Sequence, residues 1–454
     1  MDDASAVDEV LDFDPDALRE KYRQERDKRV RADGNSQYIE VEGRFAHFLD
    51  DHYVEPGFTR APLTDDVDLV IIGGGFGGLL MGARAREAGI QDIRVIEAGG
   101  DFGGTWYWNR YPGAQCDIES YCYLPLIEEL GYMPKEKYSF APEIYEHSQR
   151  IAKHYNLYDN ACFQTKVTEL RWDEAAARWI VSTDRKDKMR ARFVVMATGP
   201  LNRADFQKMN GIRQRVDDTV IDRTTAEALK PWYRQFCKRP TFNDDYLPTF
   251  NRPNVKLVDT SDSKGVERIT KNAVVANGVE YEVDCIIFAT GFEVGTAWTR
   301  RAGYDLIGMG GKTLSDYWSD GMKTYHGFSS HGFPNCFILG QSQNGGSLNL
   351  TSVLDDQAQH VSYIIKKVMD RGARYSQPTK EAESEWVAEI NRLAVVAARF
   401  LAACTPGYYN NEGHFGEPGS GGLGAGAYAP GINAFNALMA KWREQGDLEG
   451  LEII

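Results

Sequence analysis

The segment Gly73-Gly74-Gly75-Phe76-Gly77-Gly78 has the Gly-x-Gly-x-x-Gly spacing with which a backbone can hold a dinucleotide. Gly73 permits a tight turn, Gly75 lets the chain approach a pyrophosphate, and Gly78 admits a closely packed helix. The phosphates would then lie at that helix's N-terminus, where unpaired N–H groups and the helix dipole favour an anion. Nineteen residues after Gly78 stands Glu97, a carboxylate suited to a ribose diol and repelled by a 2′-phosphate. These residues leave FAD and NAD both open, and a glycine-rich turn without a ligand is the alternative.

The elements that must position this motif are legible on either side of it. The apolar run Asp68-Leu69-Val70-Ile71-Ile72 predicts a strand, Leu79 to Ala88 a helix, and Ile93 to Ile96 a second strand ending at Glu97. Directly behind follows Gly103-Gly104-Thr105-Trp106-Tyr107-Trp108-Asn109-Arg110-Tyr111-Pro112-Gly113-Ala114-Gln115-Cys116-Asp117, a long aromatic loop punctuated by glycine. It resembles the shorter fingerprint of the flavin-dependent Baeyer–Villiger monooxygenases, the class B flavoprotein monooxygenases. The pattern Gly-x-Trp, four residues, an aromatic, Pro-Gly, three residues and Asp is met by Gly104, Trp106, Tyr111, Pro112, Gly113 and Asp117. The resemblance selects FAD and implies an α/β flavoprotein of the two-dinucleotide-binding type, with a Rossmann-like FAD domain and a β-meander. Flavin contacts are expected at Gly73, Gly75, Phe76, Gly78, Glu97, Gly104, Thr105, Trp106, Tyr111 and Asp117. Further contacts are expected at Thr198, Gly199, Thr290 and Gly291, in two Ala-Thr-Gly segments that end the apolar runs Phe193–Met196 and Cys285–Phe288. The alternation from Thr165 to Thr183 predicts the meander, and Pro334 to Gly340 followed by a helix from Ser352 to Met369 would close the flavin site.

In the resembling family the reduced flavin forms a C4a-peroxide that adds to a ketone and inserts oxygen beside the carbonyl, giving an ester or lactone. Its catalytic arginine lies in a Lys-Arg-Pro segment, matched here by Lys238-Arg239-Pro240. The resemblance therefore assigns Arg239 to charge stabilisation, a role suited to a permanent cation with several donors. Asp117 would orient it. Tyr408, Tyr409 and Asn410 occupy the region where the family carries a tryptophan near nicotinamide and substrate. The family also carries a second glycine-rich domain for NADPH and a longer fingerprint before it. Neither occurs between Gly199 and Ala289. About 150–200 residues are wanting by the size of a dinucleotide domain, through a built or evolved deletion, a naturally short relative, or a stretch missing from the sequence as written.

The expected division is an N-terminal helical extension over 1–60 and a first FAD part over 61–203. A helical remnant of the NADPH domain over 204–240 leads to the arginine, and a second FAD part with C-terminal helices covers 241–454. With 66 acidic against 52 basic residues, the net charge of −14 excludes a nucleic-acid surface. No apolar stretch predicts a membrane span, and none marks a leader, so a cytoplasmic protein is expected. Seven scattered cysteines without a Cys-x-x-Cys pair predict neither a disulfide nor a zinc site. His326 and His331 lack companions at metal-ligand spacing and read as structural, so no metal is expected. The small-molecule partners that the resemblance implies are a ketone and oxygen. The rival reading is a flavin-binding protein without NADPH-driven oxygenation, working with peroxide, light or an external reductant.

Overall fold

The computed structural model describes residues 14–38, 43, 50–197, 207–234, 237–239, 241, 243–261, 263–287, 296–340, 342–347, 349–414 and 426–454, apart from the side chains of residues 15, 207, 208, 210 and 395–397. The chain divides into two compact units. One comprises Met1–Gln37, Arg203–Phe292 and Arg399–Phe415; the other comprises Tyr38–Asn202, Glu293–Ala398 and Gly416–Ile454.

The larger unit is built on one eight-stranded sheet. Its first six strands are β1 (Asp66–Ile72), β2 (Ile93–Ile96), β3 (Ala161–Cys162), β4 (Val167–Asp173), β5 (Arg178–Thr183) and β6 (Lys188–Ala197). β3, β2, β1 and β6 run parallel, and the strand Cys336–Leu339 adds to β6 on the far side. β4, β5 and β6 form the antiparallel meander, with Leu306–Ile307 on its edge. β6 belongs to both halves: Met189 to Ala191 pair with β5, and Val194 to Ala197 pair with Cys336–Leu339.

Side-chain alternation explains the unbroken apolar run of β1. Leu69 and Ile71, with Phe193 and Val195 of β6, enter the core shared with the helices Phe76–Glu87 and Leu350–Asp370. Val70, with Val194 and Met196, enters a second core against Trp172, Trp179 and Val181 of the meander. A parallel strand covered on both faces is apolar at every position. The observed strands and helices extend the expected ones by a few residues at most, except at the second Ala-Thr-Gly segment. There Cys285 to Ile287 are described but form no strand, and Ile287 is 81% exposed. The place beside the upper half of β6 is taken by Cys336–Leu339.

The smaller unit gathers helices around a modest core of Val216, Val220 and Ala226. The helix Pro15–Arg29 starts where the Asp14 carboxylate accepts from the backbone N–H of Asp16 and Ala17, with Pro15 in its first turn. Its Tyr22 is buried, and Arg213 donates both to the Tyr22 hydroxyl (3.1 Å) and to the Pro231 carbonyl (2.9 Å). A small antiparallel sheet follows, β7 (Arg268–Ile269), β8 (Ala273–Ala276) and β9 (Val279–Glu282). The described residues from 241 to 287 belong to this unit; the sequence reading places them in the second FAD part.

The expectation of no disulfide is corrected here. Cys237 and Cys404, 167 residues apart, are bonded with their Cα atoms 5.1 Å apart. No local spacing announces such a bond, because the two cysteines meet only where Arg399–Phe415 packs beside the segment around Cys237. The other five cysteines are free. Among the described residues no helix is long and apolar enough to cross a membrane, and no cluster of potential metal ligands occurs.

The meander is pinned to the segment entering β1 by an ion pair between half-buried Arg60 and the buried Asp187 carboxylate. Asp187 accepts two 2.6 Å bonds from Arg60, one from the Thr183 hydroxyl and one from the Leu63 N–H. Burial raises the Asp187 pKa, but Arg60 and the other donors outweigh it and hold the carboxyl at about 2, below its ordinary 3.8. A carboxyl depressed in the folded state stabilises fully above its unfolded pKa and loses that contribution as pH falls toward the folded value. Thermal unfolding should therefore show a stability decline from pH 4 to pH 2 that is smaller in Asp187→Asn, whose melting temperature at pH 7 is lower than that of the parent.

Candidate functional site

The glycine-rich turn joins the C-terminal end of β1 to the helix Phe76–Glu87, whose N-cap is Gly75. Gly73 takes φ +107°, a conformation open to glycine, and its N–H donates to the Ile96 carbonyl at 2.9 Å. A Cβ on Gly78 would come within 1.8 Å of the Gly73 carbonyl oxygen, so the third glycine is required by the turn itself. The turn and the aromatic loop are locked together. Gly103 N–H donates to the Gly74 carbonyl at 2.9 Å, and Gly104, at φ +52°, lies so close that its Cβ would fall 2.7 Å from Gly75 Cα.

Glu97 closes the same cradle from below. One carboxylate oxygen accepts from Gly74 N–H at 2.5 Å, the other from Gly99 N–H at 2.6 Å. The side chain is buried, which pushes its pKa up, while the Gly99 and Gly74 N–H groups pull it down. Each oxygen keeps a lone pair for a sugar hydroxyl. Bare backbone at Gly73 to Gly78, a helix N-terminus and a fixed acceptor at the next strand end fit the phosphates and ribose of FAD.

The aromatic loop forms a short helical turn over Thr105–Trp108. Trp106 is buried and donates from Nε1 to the Tyr123 hydroxyl at 2.9 Å, and Tyr123 meets both Trp106 and Phe76 edge to face. The backbone of Tyr123 in turn accepts from the Thr351 hydroxyl, and Cys122 accepts from Asn349, at the start of the helix Leu350–Asp370. That helix is therefore tied to the first βαβ unit through Tyr123, a residue no sequence signal marked. Arg110 is stacked among the rings of Tyr53, Tyr107 and Tyr145, 3.9–4.6 Å from their centroids. Asp101 anchors the start of the loop by accepting from Tyr145, Tyr158 and Gln149. Thr105 and Tyr111 are exposed, and Asp117 is half-buried. Thr198, Gly199, Thr290 and Gly291 lie outside the described residues.

Arg239 and the Tyr408–Asn410 segment belong to the smaller unit, whereas Asp117 and the glycine cradle belong to the larger one. Within the smaller unit the structure brings Arg239 close to Tyr409. Burial and then Tyr408 push the Tyr409 phenol far above its ordinary pKa, and the charge of Arg239 pulls it back. Asn410 differs from the expectation of a substrate contact. Its Nδ2 donates to the carbonyls of Leu401, Cys404 and Thr405, and its Oδ1 accepts from Gly407 and Gly413. A carboxamide so fully used holds a turn. His326 is buried and stacked on Tyr325, with burial lowering its pKa to about 3, and His331 Nδ1 bonds to the Pro378 carbonyl. Both are structural.

Comparison with known proteins agrees with this geometry. The family model described as pyridine nucleotide-disulphide oxidoreductase matches residues 70–226. Pentalenolactone D synthase of Streptomyces arenae is 40% identical over 596 aligned positions, covering 97% of this chain and 100% of that protein. A Baeyer-Villiger monooxygenase of Streptomyces coelicolor is 36% identical, covering 94% and 95%. The solved polycyclic ketone monooxygenase of Thermothelomyces thermophila superposes with a TM-score of 0.89 at 27% identity, covering 97% of this chain and 99% of that one.

The contacts of the cradle set a test. Gly78→Ala and Gly104→Ala each place a methyl group against backbone that cannot yield, so both variants should purify without the visible absorption of bound flavin. Arg171→Ala, at an exposed position on β4, should keep the absorption of the parent protein.

Proposed function

The chain belongs to the Baeyer–Villiger monooxygenases, and from that premise we propose how its own residues divide the work. It is an FAD-dependent enzyme that inserts one oxygen atom beside a ketone carbonyl to give an ester or lactone. The observation that carries this is the identity with such enzymes along nearly the whole chain, on a cradle whose backbone fits FAD. A flavin-binding protein without oxygenation is not favoured. Bound FAD supplies the reducing equivalents with which oxygen is activated.

Arg239 holds the negative charge that develops on oxygen as the ketone carbonyl is attacked. The resemblance of Lys238-Arg239-Pro240 to the family's arginine segment supports this role, as does the charge of Arg239 acting on half-buried Tyr409. The names of the relatives support a cyclic, multi-ring ketone as substrate and a lactone as product. The five free thiols support a cytoplasmic setting, and the Cys237–Cys404 bond counts against it.

We also propose that most of the NADPH-binding domain is missing from the chain, leaving residues 204–240 as its remnant. Two observations support this. The alignment with the Streptomyces arenae protein runs over 596 positions, more than the 454 residues of the chain. In the smaller unit, Ile269 and Val279 share one face of the small sheet by register and are each 49% exposed, with Ile287 exposed nearby in sequence. Apolar surface of this kind marks a face that another domain covers.

Two measurements check these assignments. Arg239→Ala should retain FAD and lose about 10²–10³-fold in oxygenation rate, the scale of removing one charge-stabilising donor; an unchanged rate removes the role. Dithionite should bleach the flavin of the chain, while NADPH should bleach it slowly and without dependence on ketone. Rapid bleaching by NADPH would falsify the loss of the domain.

A further inference from the structure

Three consecutive residues of the arginine segment engage one turn of the chain. Cys237 is bonded to Cys404. Lys238 donates from Nζ to the Pro406 carbonyl, and Gly407 lies so close that a Cβ there would meet Nζ at 2.9 Å. Arg239 acts on Tyr409. The turn is itself rigid, because Asn410 saturates its side chain on the backbone from Leu401 to Gly413. The helix Pro15–Arg29 braces both ends of it, with Arg26 donating to the carbonyls of Ala402 and Gly413. Of these ties only one is covalent, and it lies two residues from Arg239.

We propose that the Cys237–Cys404 disulfide is a positioning element of the oxygenation site, which fixes Arg239 against the Tyr408–Asn411 turn and so keeps oxygen transfer to the ketone coupled. The proposal rests on the assignment of Arg239 to charge stabilisation. Its chemistry is a two-electron exchange: a dithiol donates two electrons and two protons, the Cys237–Cys404 bond breaks to two thiols, and the dithiol closes to its own disulfide. Both sulfurs are buried, so a dithiol reaches them only as the turn opens. With the bond open, Lys238 and Arg239 are held by non-covalent contacts alone. Oxygen consumed at the flavin then leaves as hydrogen peroxide in place of entering the ketone.

The test uses the FAD-loaded chain, purified without reductant, beside Cys237→Ser/Cys404→Ser, Arg239→Ala and the combination of all three. Thiol titration in denaturant should find five thiols among the seven cysteines; seven would overturn the proposal. Trypsin should cut after Lys238 about tenfold faster in the serine pair, and in the parent after dithiothreitol, because opening of this turn then limits cleavage. Equal rates overturn the proposal. Each protein is then reduced with dithionite, mixed with oxygen and a fused-ring ketone that the parent converts, and assayed for lactone and hydrogen peroxide per flavin. The serine pair should shift the products from lactone to peroxide with its flavin spectrum unchanged, and adding Arg239→Ala should cause no further loss. If the serine pair fails to fold, the dithiothreitol-treated parent gives the same comparison. A full lactone yield from the serine pair beside a deficient Arg239→Ala overturns the positioning role alone. A full yield from Arg239→Ala overturns the assignment of the arginine on which it rests.

Discussion

The larger unit depends on one close approach of backbone to backbone. Gly104 lies so near Gly75 that a Cβ on it would fall 2.7 Å from Gly75 Cα, and the Gly103 N–H to Gly74 carbonyl bond fixes their register. A turn that is to hold phosphates by its N–H groups must be stripped of side chains, and a stripped turn is floppy unless something else defines it. Here the aromatic loop supplies that definition, and Glu97 completes it by accepting from both Gly74 and Gly99.

The aromatic residues of the loop hold it in place. Trp106 spends its N–H on Tyr123, and Tyr107 bonds to Asp51 and to the Gly100 N–H. Their contribution is to hold the loop so firmly that its glycines stay against the turn. Aromatic side chains suit this because each buries a large area while one polar atom fixes its orientation.

The smaller unit solves a harder problem, because it assembles three segments distant in sequence around a small core. Val216, Val220 and Ala226 bury little apolar surface, and specific ties supplement them: a disulfide, the Arg213 bonds to Tyr22 and Pro231, and the Arg26 bonds to two carbonyls. A cross-link over 167 residues removes much of the freedom of the unfolded chain, which is where a long-range disulfide acts in the chain-entropy account. The N-terminal helix, charge-rich and sparse in apolar positions, belongs to this arrangement through Tyr22 and Arg26 rather than through a greasy stripe.

The local motifs were legible because their meaning is set by near neighbours. A strand buried on both faces needs a continuous apolar run, a phosphate turn needs glycines at fixed offsets, and Glu97 must end the next strand; each requirement operates within about thirty residues. By itself the sequence determined the βαβ unit, the meander and the FAD-type loop. Only the tertiary structure decided that Cys237 meets Cys404, that Tyr123 links Trp106 to Phe76, that Asn410 is consumed by its own turn, and that Cys285 to Ile287 form no strand. Those outcomes depend on which distant segments share a volume, and a pairing across 167 residues leaves no periodicity or spacing along the chain from which to read it.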